Sequence, residues 1–169
     1  MHSRKTPVAS FYANILAFDG YYEKKWFPYT MPISDIYGLR QAFDNIKNDP
    51  YMLERHAKIG NAVRAAVKEA GLELYQETGF SNTVTVFNVP EGTTDTAILT
   101  AMKEKCNIML AGSFGAFAGK VIRIGHMGEN AYPEKVGAVM AGLDLVFKDL
   151  GITLKCSLKE AYDRKMSEQ

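Results

Sequence analysis

From residue 34 onward the apolar positions alternate between helical and strand spacing. Ile36, Leu39, Phe43 and Ile46 recur at helical intervals. With Ser34 as N-cap and Asn48-Asp49-Pro50 as stop, they predict a helix over 34–46. A longer helix follows over 51–70, its stripe formed by Met52, His56, Ile59, Val63, Ala66 and Ala70, and Gly71 is its natural end. His56 reads as a packed, hydrogen-bonded side chain on that stripe and receives no function. The period then shortens. Strands are predicted over 72–75 and 83–89, the second rich in Thr, Val and Phe, with Gly79 and Ser81-Asn82 as turn residues between them. Pro90-Glu91-Gly92 breaks the pattern, and a helix over 95–105 buries Ile98, Ala101 and Met102. Strands over 108–110 and 119–124 come next. A helix over 133–150, with Pro133 at its first position, then presents Val136, Val139, Met140, Leu143, Val146 and Phe147. This order predicts an α+β fold, a small antiparallel or mixed sheet with helices on one face. Beyond Gly151, the capping-box sequence Ser157-Leu158-Lys159-Glu160 opens a last helix to about Met166, and the charged Asp163-Arg164-Lys165 predicts a surface appendage.

The first 33 residues follow neither period. Phe11-Tyr12, Tyr21-Tyr22 and Trp26-Phe27-Pro28-Tyr29 cluster aromatics without a repeat that would bury them on one another. Such a segment is expected to pack on something else. A short helix is predicted over 14–25, weakened by Gly20, and Pro28 and Pro32 hold Tyr29-Thr30-Met31 extended.

Composition narrows the class without naming it. The chain has 169 residues, 20 basic and 19 acidic side chains, and 47% hydrophobic residues, as expected of a soluble domain. Near-neutral charge gives no electrostatic reason for a nucleic-acid or membrane partner. No apolar run is long enough to span a bilayer, and His2, Arg4 and Lys5 do not lead into a signal-peptide core. Cys106 and Cys156 lack metal-type spacing and read as free thiols of a reducing compartment, so the cytoplasm is expected. There is no phosphate loop, no metal motif and no nucleophile with a nearby cue for its base.

One stretch carries chemistry. In residues 119–128, Ile122 and Ile124 alternate with Val121 and Arg123, which directs Arg123 away from the core. A guanidinium held on a strand is a planar fork suited to a carboxylate or phosphate. The ordinary alternative is an arginine on the solvent face of an edge strand. Gly112, Gly115, Gly119, Gly125 and Gly128 bracket the run and favour close approach of backbone or ligand.

Ala111-Gly112-Ser113-Phe114-Gly115 followed by Gly119-Lys120-Val121-Ile122-Arg123-Ile124-Gly125-His126-Met127-Gly128 resembles the C-terminal signature of class V pyridoxal-phosphate-dependent aminotransferases, nearest the serine–pyruvate and alanine–glyoxylate branch. Further pieces agree in order: Ser3-Arg4-Lys5-Thr6 with Ser10-Phe11-Tyr12, Tyr29-Thr30-Met31-Pro32 leading to Ile36-Tyr37-Gly38-Leu39-Arg40, and Thr83-Val84-Thr85-Val86. The resemblance implies a fold-type-I C-terminal domain over 34–150, preceded by a linking segment, the tail of a large domain, over 1–33, and followed by a helical extension over 151–169.

It also implies roles. Arg123 would bind the substrate carboxylate, and Thr30 would reach across a homodimer to the cofactor phosphate of the neighbouring subunit. Phe27 stands where one member of the family has a tyrosine that makes a second phosphate contact, and Ser113 where a glycine is usual. The family's Schiff-base lysine lies on the large domain; Lys5 and Lys120 match other positions. The implied protein is therefore the C-terminal part of an aminotransferase acting on an amino acid and a 2-oxo acid such as pyruvate or glyoxylate. It would need a separate N-terminal half with the lysine, and would hold no covalent pyridoxal 5'-phosphate itself. The alternatives are a non-catalytic interaction module that retains the small-domain fold, or a small-anion binder using Arg123 and nearby amides.

Overall fold

Residues 5–168 are described by a computed structural model of the chain. His2, Ser3 and Arg4 lie outside them. The described residues fall into two units divided between Asp49 and Pro50.

In the N-terminal unit no described residue is buried. The single helix predicted over 14–25 is instead two short pieces, a 3-10 turn Ile15–Phe18 capped by Asn14 and a helical turn α1 (Tyr21–Lys24). Gly20, in the left-handed region at φ 64°, separates them. Phe11, Tyr12, Phe18, Phe27 and Tyr29 meet edge-on or stacked, with centroids 5.1–6.2 Å apart. Helix α2 (Ile33–Lys47) begins one residue before Ser34, with Pro32 in the N-cap position. Ser34 is thus inside the first turn, because the fixed φ of Pro32 already starts the chain towards the helix. The apolar row Ile36, Leu39, Phe43 and Ile46 is exposed along its length.

The C-terminal unit carries the core. Helix α3 (Met52–Glu69) buries Ile59, Ala62, Val63, Ala66 and Val67. It ends at Gly71, φ 85°, where the Leu72 and Gly71 amides donate back to the carbonyls of Val67 and Lys68. Strands β1 (Val84–Asn88) and β2 (Val121–Gly125) pair antiparallel, Val86 opposite Arg123 and Phe87 opposite Ile122. The strand predicted at 72–75 is reduced to a single antiparallel bridge, Leu74 with Phe87, and the one predicted at 108–110 does not form; the next residue, Ala111, makes a single antiparallel bridge with Arg123. Their order around the sheet remains that of an antiparallel layer, with one extended segment outside each strand. These segments are too short to hold a ladder, and each pairs where it passes a strand.

Helix α4 (Asp95–Cys106) starts at Thr94, whose side chain accepts from the Ala97 amide. Helix α5 (Pro133–Asp149) has its proline in the first turn, as expected. Phe87, Ile122 and Ile124 of the sheet join Ile98, Met102, Met140, Leu143 and Phe147 of the helices in one core. Helix α6 (Leu158–Ser167) is not a surface appendage. It packs on α3 and α5 and buries Leu158, Ala161 and Tyr162 completely or nearly so. Its charged residues lie outside this buried row, with Arg164 paired to Glu69 of α3. No helix among the described residues is long and apolar enough to cross a membrane.

Candidate functional site

The alternation that directs Ile122 and Ile124 inward leaves Arg123 half-buried on the opposite face of β2. Its strand is not an edge there. The Arg123 amide donates to the Ala111 carbonyl at 2.7 Å, while β1 pairs on the other side. The backbone of Arg123 is consequently fixed from both directions. The side chain is fixed as well, because Nε donates to the carbonyl oxygen of Gly112 at 2.6 Å. Neither terminal nitrogen has a protein partner among the described residues. A guanidinium held by Nε keeps its two-nitrogen end free for a planar anion.

Arg123 lies on an open groove of about 870 Å³, with Val84 of β1, the segment 107–111 and the start of α5 as neighbouring walls. Residues 125–130 form a further wall through Gly125, Met127 and Asn130. The glycines do two different jobs. A Cβ on Gly112 would meet Asp95 Oδ2 at 3.2 Å and Leu99 Cδ1 at 3.4 Å, so a side chain there would push on two side-chain ends of this chain's own packing. A Cβ on Gly125 would meet nothing within 4 Å. Gly125, two residues after Arg123 and on the same face, keeps space beside the guanidinium open.

Thr30 is exposed in the extended stretch before α2, with no hydrogen bond to its hydroxyl among the described residues. It belongs to the N-terminal unit, and Arg123 to the C-terminal one. Phe27 is half-buried in the aromatic cluster, its ring edge against Phe18 and Tyr29. Lys120 is exposed.

The structure adds residues that periodicity alone does not single out. His126 is fully buried, its Nδ1 3.1 Å from the Asn82 carbonyl and its Nε2 2.9 Å from Thr85 Oγ1. Burial pushes its pKa down to about 4, with Arg64 and His56 adding to the effect against its backbone hydrogen bonds. Arg64 is itself buried in α3, bonded to the Ser81 carbonyl at 2.8 Å and to Asn61 at 2.6 Å, and desolvation lowers its pKa. The sequence cue was the position of His126 inside the glycine-bracketed motif. Its partners lie more than 40 residues away along the chain. No group of side chains suited to holding a metal occurs among the described residues.

No protein-family model matches the chain. An uncharacterized aminotransferase of Methanocaldococcus jannaschii is 38% identical over 149 residues, 86% of this chain and 38% of that protein. The serine–glyoxylate aminotransferase of Arabidopsis thaliana is 36% identical over 130 residues, 75% of this chain and 32% of its own length. The crystal structure of ureidoglycine–glyoxylate aminotransferase from Bacillus subtilis superimposes on 99% of this chain with a TM-score of 0.89 at 26% identity. The chain belongs to the class V aminotransferases. This class V chain matches their C-terminal part and spans less than half the length of each of these three relatives, 38%, 32% and 44%. The paired strands and the helices around them are accordingly those of the fold-type-I aminotransferase small domain.

Proposed function

We propose that the chain provides the substrate-carboxylate clamp of a pyridoxal-phosphate-dependent aminotransferase, with Arg123 as the clamp. The observation that carries this reading is the guanidinium tethered through Nε to Gly112, its terminal nitrogens free on the wall of the groove. The substrates are an amino acid and a small 2-oxo acid such as pyruvate or glyoxylate, in keeping with the named activities of relatives that act on glyoxylate. Bound pyridoxal phosphate supplies the electron sink that lets an amino group move between such acids.

The residues present fit the acid's carboxylate better than covalent attachment of the cofactor. Every lysine among the described residues is exposed or half-exposed, and Lys135, on the groove, donates to the Glu129 carbonyl. The reading therefore assigns the Schiff-base lysine to a large N-terminal domain or half, without which this chain is not catalytic. Thr30, with an exposed and unpartnered hydroxyl, contacts the cofactor phosphate of the neighbouring subunit in a homodimer.

The test is Arg123→Ala in the complete enzyme, assembled with its large domain. A charge-assisted pair contributes about 1.5–3 kcal/mol, so kcat/KM should fall roughly ten- to a hundredfold. Unchanged kcat/KM would sink the assignment. A second reading, a non-catalytic interaction module, draws on the N-terminal unit, whose apolar side chains are nowhere buried. A stable assembly with a large domain that shows no transamination would favour it.

A further inference from the structure

We propose that His56 and His126 are positioning residues for the Arg123 groove, holding from the inside the segment 125–130 whose outer side forms one of its walls. The inference rests on the reading of that groove as a carboxylate site.

The hydrogen bonds determine which ring nitrogen of each histidine carries the proton. The Asn82 carbonyl can only accept, so His126 Nδ1 donates to it, and because burial keeps the ring neutral, Nε2 accepts from the Thr85 hydroxyl. The Gly128 amide donates to His56 Nε2 at 3.1 Å, so His56 Nδ1 carries its proton towards the Met52 carbonyl, 2.7 Å away. The two rings thus share the Nδ1–H tautomer. Burial keeps His126 neutral at physiological pH.

Their placement follows from chain alternation just beyond β2. His126 points inward, fully buried, while Met127 is exposed on the groove. Gly128, φ 55°, opens the 3-10 turn Gly128–Asn130, and its amide is the one that His56 receives. Arg55, the neighbour of His56 on α3, completes the hold: its Nε donates to the Ala131 carbonyl at 2.8 Å, and its guanidinium lies over Tyr132 at 4.6 Å. The wall is therefore tied to β1 and its preceding loop by His126 and to α3 by His56. A hydrophobic ring in either place would fill the volume but leave a polar group unpaired.

The test uses the 169-residue chain, labelled with nitrogen-15. Imidazole nitrogen shifts should report the neutral Nδ1–H tautomer for both rings. Pyruvate is then titrated while the Arg123 Nε–H resonance is followed, alongside hydrogen exchange at the Gly128 amide. His56→Leu removes the acceptor and should weaken pyruvate binding about fivefold and speed Gly128 exchange. His56→Gln, whose amide oxygen can take the place of Nε2, should stay within about twofold of wild type on both counts. Thermal melts establish that each variant is folded, and the glutamine variant carries the test where the leucine variant unfolds. Equal loss in the two variants, or none in either, would overturn the positioning role. If Arg123→Ala abolishes the pyruvate response while both His56 variants retain wild-type affinity, the carboxylate reading stands and the inference falls. No response in the wild-type chain overturns the inference, while the carboxylate reading is decided separately by Arg123→Ala in the complete enzyme.

Discussion

Arg123 Nε and the Gly112 carbonyl oxygen lie 2.6 Å apart, joining two segments that sequence places 11 residues from one another. The bond turns a flexible side chain into a fixed one. Lysine at this position would keep the charge but lose both the Nε anchor and the planar fork. Arg123→Lys is therefore expected to lose about 1.5–3 kcal/mol of carboxylate binding, nearly as much as Arg123→Ala. Isothermal titration with pyruvate checks this, and wild-type affinity in the lysine variant would argue against a bidentate clamp.

Gly125 separates folding from binding. Since a Cβ there meets nothing, Gly125→Ala should leave the unfolding free energy within about 0.5 kcal/mol of wild type. The same methyl projects beside Arg123 and should weaken carboxylate binding by roughly 1 kcal/mol. Denaturant melts and ligand titration on one sample measure both. Loss of stability with unchanged affinity would contradict the open space seen at this glycine.

His126 gives a pH dependence with a defined sign. Its pKa is about 4 in the folded chain against 6.5 for an ordinary histidine, so below pH 6.5 the unfolded chain takes up the proton first. The stabilisation is fully present above pH 6.5, declines as pH falls towards 4, and changes no further below that. Its size is roughly 3 kcal/mol, because each tenfold difference in proton affinity between the folded and unfolded chains is worth about 1.4 kcal/mol. Subtracting the pH profile of a His126→Asn variant from that of wild type isolates this contribution. Parallel profiles between about pH 7 and 4 would show that His126 titrates normally.

Asp144 caps a helix from another helix. It accepts from Ser157 Oγ and the Leu158 amide at 2.7 Å each and from the Lys159 amide at 3.0 Å. Asp144→Ala leaves these donors unpaired at the start of α6 and is expected to cost about 2 kcal/mol of stability. Because α6 seats Leu158 and Tyr162 in the core, the loss should appear in global unfolding rather than in local fraying. A chevron or equilibrium melt unchanged within error would refute the cap.

What was legible in the sequence came from short-range pattern. The inward Ile122 and Ile124, the outward Arg123, the glycine end of α3, and Pro133 at the start of α5 all depend on neighbours within about one helical turn or two strand residues. The Ser157–Glu160 signature correctly marked the start of α6, and Ser157 Oγ does accept from the Glu160 amide. It could not disclose that Asp144 takes the Leu158 and Lys159 amides. The segments 72–75 and 108–110 read as strands because their residues favour extension, yet the first forms one bridge, through Leu74, and the second none, the bridge falling on Ala111 beyond it. Ladder length depends on how two distant segments run together, and composition does not record that.

The sequence by itself determined the element order, the face on which Arg123 stands and the likeness to class V aminotransferases, because side-chain period and motif spacing are local properties of the chain. Only the tertiary structure decided that Arg123 is anchored by Gly112, that His56 and His126 grip the wall beside it, and that α6 belongs to the core. Each of these depends on a hydrogen bond or a buried contact between residues far apart in sequence, and such a partner exists only once the helices have closed over the sheet.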